Sequence, residues 1–261
     1  MKRLHLTFSC SNSALAGTLD TAPSTTGLLI VSGGNDTRAG AFGGQAEMAA
    51  RIARAGFPVF RFDRRGIGDS CGENRGFRRS GNDVAAALSA FGAMAPQVTR
   101  IVGFGNCDAA SALMLTSGAG FDRLILSNPW VEEASGPEDQ TIMAPQAIRS
   151  RYLEKLKNPE ELKRLFKGDV NFTKLVRGLG TAAKIKSKAT SLSAEMTAGL
   201  GQFAGPVKIL LAMKDRTALN FKSVWDPADA RISRCAGADH SYSHPDAREW
   251  LYQQLLLGLR A

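Results

Sequence analysis

The chain is poor in the residues that metal centres and redox scaffolds need. Its 261 residues hold four cysteines (Cys10, Cys71, Cys107 and Cys235) and three histidines (His5, His240 and His244). No two cysteines form a C-x-x-C pair or a zinc-ligand spacing, so neither a zinc finger nor a thioredoxin-like site is present in the sequence. No motif asks for a cofactor or a metal. An even count leaves disulfides open, although an intracellular chain of this size has no need of them. Long apolar runs are absent too, and none approaches the roughly 18 residues of a membrane span. The start, Met1-Lys2-Arg3, is basic, but residues 4–15 are broken by His5, Thr7, Ser9, Ser11, Asn12 and Ser13. That is a poor signal-peptide core, and the expectation is a cytoplasmic protein. There is no internal repeat or low-complexity tract.

What is present is an ordinary globular composition with one charged anomaly. Hydrophobic residues make up 44% of the chain, enough for one large α/β domain or a domain with an inserted subdomain. The net charge is +9. Residues 145–190 carry 12 Lys and Arg against 4 Asp and Glu, so this segment holds nearly all of it. Such a field attracts an anionic substrate or partner; the plainer reading is a solvated helical surface. The segment has neither zinc-finger nor aromatic-interleaved patterning, so nucleic acid is a poor fit as partner.

The pattern of apolar residues alternates between strand and helix. Arg3–Cys10 and residues 14–19 read as two opening strands around a Ser11-Asn12-Ser13 turn. Thr26–Val31, residues 57–63, 99–104 and Arg123–Ser127 read as buried strands. Helices are expected over residues 45–55, closed by Gly56, over 83–94 and over 108–116. The rhythm breaks after Pro129 and resumes at residues 205–213, a further strand. A last strand is read at 230–235, and a helix over 245–257 stopped by Gly258. The fold class expected from this rhythm is α/β, a mostly parallel, doubly covered sheet. Residues 1–129 and 204–261 form the core of this reading, and 130–203 a helical, basic lid inserted between two strands.

The chemistry centres on Ile101-Val102-Gly103-Phe104-Gly105-Asn106-Cys107-Asp108-Ala109-Ala110-Ser111. An apolar run ends in Gly-x-Cys-x-Ala and a helical pattern follows, the layout of a nucleophile elbow with cysteine in the serine position. The first turn of a helix favours a thiolate. Cys107, Asp215 and His240 then follow in the order nucleophile, acid, histidine, each just past a predicted strand. His240 would take and return the proton, and Asp215 would orient it. Asp215 also reads as a helix cap before Thr217. His244, Asp226 and Asp239 are the rivals. Oxyanion donors are expected from the backbone of Asp108 and from Gly34 in Gly33-Gly34-Asn35. The Gly103–Asp108 stretch also begins like a dinucleotide fingerprint, but its third glycine is missing.

With these motifs in place the chain resembles the α/β-hydrolases, and more narrowly the exosortase A system-associated hydrolase 1 group. The resemblance rests on Val31-Ser32-Gly33-Gly34, on residues 61–70 (RFDRRGIGDS), on 105–111 (GNCDAAS), on Ser127-Asn128-Pro129-Trp130-Val131 and on Gly237-Ala238-Asp239-His240. It implies a Cys–Asp–His hydrolase in a bacterial exopolysaccharide and protein-sorting locus. Dienelactone hydrolases share a Gly-x-Cys-x-Gly elbow, but the long basic insertion argues against so small a substrate. Phe42 stands in the loop where relatives carry a His-containing stretch.

The expected activity is hydrolysis of a carboxylic ester or thioester through an acyl-thioester on Cys107. The substrate is a small or carrier-bound acyl compound, anionic if the basic segment meets it. Acyl transfer on the same site is a close variant. A non-catalytic binding module on a hydrolase scaffold is the competing class.

Overall fold

In the computed structural model, residues 1–132 and 191–261 are described. Their centre is an eight-stranded sheet with the spatial order β1-β2-β4-β3-β5-β6-β7-β8. The strands are β1 (Arg3–Cys10), β2 (Ser13–Asp20), β3 (Thr26–Val31), β4 (Val59–Phe62), β5 (Arg100–Asn106), β6 (Arg123–Ser127), β7 (Val207–Ala212) and β8 (Ile232–Cys235). The hairpin β1–β2 is antiparallel, and β2 joins β4 antiparallel; every pairing from β4 to β8 is parallel.

The sequence explains that division. β3 is buried along its whole length, as a central strand covered on both faces must be. Alternate residues serve opposite faces. Leu29 and Val31 join one core with Phe60, Phe62, Leu113 and Leu126. Leu28 and Ile30 join another with Phe104, Ile125 and Leu210. β1 has most of its residues exposed, consistent with an edge.

Helices α1 (Gly44–Arg54), α2 (Gly81–Met94), α3 (Asp108–Leu115), α4 (Ser191–Gln202), α5 (Arg216–Val224) and α6 (Pro245–Arg260) cover the two faces. Met48 and Ile52 of α1 and Leu251, Leu255 and Leu259 of α6 fill one core. Phe91 of α2, Leu113 of α3, Met196 of α4 and Phe221 of α5 fill the other. Truncating such a side chain to alanine costs about 2–5 kcal/mol.

Two expectations are corrected here. Ser191–Gln202, which the sequence reading gave to the insertion ending at residue 203, packs in the core. Leu192, Met196 and Leu200 are buried, and a Cβ on Gly199 would stand 2.2 Å from the Met114 carbonyl oxygen. Gly258 does not stop the last helix, which runs to Arg260; a Cβ there would come within 2.6 Å of Ile125, so the glycine serves close packing. The remainder of the expected lid, residues 133–190, lies outside the described residues.

Candidate active site

The carboxyl ends of β5, β7 and β8 gather Cys107, Asp215 and His240, as ligand sites do in open α/β sheets. Cys107 joins β5 to α3 with φ 62° and ψ −129°, a conformation that costs a non-glycine residue about 1–3 kcal/mol. Its surroundings hold it there. The Cys107 amide donates to the Ser127 carbonyl at 3.0 Å, and its own carbonyl accepts from the Ala110 amide at 3.1 Å and the Trp130 amide at 3.3 Å. The turn is tight enough to dictate its neighbours. A Cβ on Gly105 would lie 2.8 Å from backbone atoms of Ala109 and Ala110, and one on Gly33 would lie 2.4 Å from the Asn106 carbonyl oxygen.

His240 faces this turn. Its Nδ1 lies 2.8 Å from Asp215 Oδ2, leaving Nε2 for the thiol. Bonding to the Asp215 carboxylate, and then to the Cys107 side chain, outweighs burial and raises the imidazole from 6.5 to about 10. The proton therefore stays on the ring at neutral pH, where it is available to a group that needs one. Asp215 is only 7% exposed. It also caps α5, its carboxylate accepting from the Thr217 and Ala218 amides at 3.1 and 3.2 Å. Asp215 therefore meets the His240 ring and caps α5 with the same carboxylate.

The rivals are otherwise engaged. His244 accepts from the Asp246 amide as the cap of α6. His5 meets Thr18 on the opening hairpin. Asp226 accepts from the Ala228 amide, and Asp239 from Ser243. Cys10 is buried against Asp83, and all four cysteines are free thiols. Among the described residues, no group of three His, Cys, Asp or Glu is arranged to hold a metal ion.

The two expected oxyanion donors differ. The Asp108 amide, at the start of α3, has no partner among the described residues. The Gly34 amide is taken, donating to Asp108 Oδ1 at 2.7 Å. Arg64, buried beside them, donates through Nη2 to the Gly34 carbonyl and lies 3.4 Å from Asp108 Oδ2. The loop beyond Gly34 is moored by Arg38, which pairs with buried Asp63 and with Asp69. A cavity of about 80 Å³ opens beside His240, bounded by Ile30, Phe42, Met48, Phe104 and Leu251. Above it Phe42 is 97% exposed, with φ 52°. A larger cleft, about 630 Å³, is lined by Arg65, Arg75, Arg78 and Arg79. Three of these arginines also border a crevice that reaches Arg64.

The family model described as serine aminopeptidase, S33, matches residues 24–234. The chain belongs to the serine aminopeptidase S33 family. This S33 member is a hydrolase of α/β-hydrolase fold. Similar solved structures include the α/β-hydrolase GrgF from Penicillium sp. sh18, 16% identical with TM-score 0.63 and all of both chains covered. Another is XC6422 from Xanthomonas campestris, described as an α/β serine hydrolase without a lid. It is 13% identical with TM-score 0.60, over 100% of this chain and 94% of that one. The esterase Pf2001 from Pyrococcus furiosus is 15% identical with TM-score 0.56, over 99% and 93%. No curated protein sequence matches.

The family description names a serine, whereas this S33 member carries cysteine at the elbow. The serine nearest in sequence, Ser111, is fully buried and donates to the Trp130 carbonyl at 2.7 Å. Sequence reasoning missed three polar residues of the site. Arg64 was read only as part of the 61–70 motif, with no role of its own. Asn106 donates to the His240 carbonyl at 3.2 Å and accepts from Asn128 at 3.0 Å. Asn128 in turn accepts from the Ala212 amide at 2.8 Å. The Asn128-Pro129 stop after β6 was the available signal, since an asparagine there tolerates the left-handed φ of 44° that aims its amide inward.

Proposed function

We propose that this S33 hydrolase cleaves carboxylic esters or thioesters with Cys107 as nucleophile, His240 as acid and base, and Asp215 as the group that positions His240. The 2.8 Å contact between His240 Nδ1 and Asp215, beside a cysteine at the elbow, carries this reading. The thiolate bonds to the substrate carbonyl carbon, and the π pair moves onto oxygen, where backbone N–H groups receive it. As the carbonyl re-forms, the C–O or C–S bond to the leaving group breaks. The His240 proton goes to the departing alcohol or thiol. Neutral His240 then takes a proton from water, whose oxygen bonds to the thioester carbon. Collapse releases the carboxylic acid, the Cys107 thiolate and protonated His240.

The apolar cavity beside His240 suits a short arm of the substrate, and the arginine-lined cleft suits an anionic one, such as a carrier thioester. The motif resemblance to the exosortase A system-associated hydrolase 1 group supports a bacterial exopolysaccharide and protein-sorting setting. The test is hydrolysis of a short-chain p-nitrophenyl ester and a panel of acyl thioesters. Cys107→Ala and His240→Ala are expected to lower kcat/KM at least about 10³-fold. Equal rates in all three proteins would favour the binding-module reading. A thiol-directed probe should label Cys107 ahead of Cys10, Cys71 and Cys235, and uniform labelling counts against an activated thiolate.

A further inference from the structure

Beside the nucleophile stands a carboxylate that the mechanism above does not use. Asp108 supplies one expected oxyanion donor through its backbone, and its side chain occupies the other, Gly34 N–H, at 2.7 Å. A fixed negative charge at that amide opposes the negative charge that develops on a substrate carbonyl oxygen. The second half of the observation is Arg64. Its guanidinium is 5% exposed, and its Nη1 is buried with no hydrogen-bond partner among the described residues. Nη2 lies at a long 3.4 Å from Asp108 Oδ2 while bonding the Gly34 carbonyl. A buried guanidinium beside a carboxylate favours a two-point pair, and this one makes only a stretched single contact.

We infer that the Asp108 side chain is a placeholder in the oxyanion hole and that Arg64 is the positioning residue that draws it aside when a substrate carbonyl arrives. In the resting protein the carboxylate keeps the Gly34 amide satisfied and the loop after β3 in place. On acylation it leaves Gly34 and closes onto the Arg64 guanidinium, so both N–H donors face the oxyanion while Asp108 stays charge-compensated. No bond is made or broken and no proton moves in this step. The inference rests on Cys107 being the nucleophile.

The experiment compares two reactions of the same thiol: single-turnover acylation by p-nitrophenyl acetate, which develops an oxyanion, and alkylation by iodoacetamide, which does not. The ratio of the two rates isolates the hole from the reactivity of Cys107. Asp108→Ala empties the hole and is expected to raise the ratio about tenfold. Asp108→Asn, which keeps the acceptor but not the charge, should fall between. Arg64→Gln leaves the charge in the hole and should lower the ratio about tenfold. In the Asp108→Ala background the same Arg64→Gln change should have no further effect, because nothing remains to be withdrawn. An unchanged or lowered ratio in Asp108→Ala overturns the inference, and so does an equal loss from Arg64→Gln in both backgrounds. If Arg64→Gln fails to fold, the Asp108 pair alone decides. Acylation that disappears in Cys107→Ala yet ignores Asp108 refutes the placeholder and leaves the nucleophile standing. Acylation that survives in Cys107→Ala removes both.

Discussion

Asp215 serves two structures at once, and its substitutions separate them. Asparagine is a good helix cap but carries no charge for His240. Asp215→Asn is therefore expected to melt within a few degrees of the parent while kcat/KM falls on the order of 10³-fold or more. Asp215→Ala should lose the same activity and, in addition, about 1 kcal/mol of stability with the α5 cap. Differential scanning calorimetry beside ester kinetics checks both. His240 gives a second prediction. Its pKa is raised in the folded protein to about 10, against about 6.5 for a free imidazole. The stabilisation is thus complete below pH 6.5 and is lost as pH rises through 10. Urea-denaturation free energies of the parent and His240→Gln should differ most in the acid part of that window and converge above it. In the mechanism proposed above the same proton goes to the leaving group, so kcat/KM for an alkyl thioester should decline near pH 10. In Asp215→Asn that alkaline limb should move toward neutrality.

At the scale of elements, the elbow is fixed by what its neighbours lack. Gly105 faces backbone atoms of Ala109 and Ala110 that cannot step aside. Gly105→Ala is expected to cost about 1–3 kcal/mol by overpacking, and to lower activity by shifting Cys107, as denaturant titration and ester turnover would show. This part of the molecule was legible in the sequence because strand, Gly-x-Cys-x-Ala turn and helix are local features. The order of Cys107, Asp215 and His240 was legible for the same reason, each residue closing a strand. Gly258 was misread because a glycine that stops a helix and one that lets a helix approach a sheet look alike in one dimension. The core position of α4 was hidden by its continuity with a basic, helix-prone stretch. Arg64 and the occupied Gly34 amide depend on contacts across 30 to 74 residues of chain, which no local pattern records.

For the whole molecule the charge is lopsided, and the described arginine cleft lies on the same side of the sheet as the elbow's neighbour Arg64. Screening should therefore separate substrates by charge. Between about 50 and 300 mM salt, KM for a neutral p-nitrophenyl ester is expected to stay level, while KM for an acyl-coenzyme A thioester rises severalfold. A KM for both that ignores salt would detach the cleft from substrate binding. Among the described residues, no helix is long and apolar enough to cross a membrane. The line from the Ala212 amide through Asn128 and Asn106 to the His240 carbonyl joins the three loops that carry Asp215, Cys107 and His240. Every group in it is neutral at any pH the protein will meet. The scaffold holding the three reactive loops together thus has no titration of its own. Activity lost by moderate acid or alkali should return in full on neutralisation, because the charges that change are carried by the frame and are not part of it.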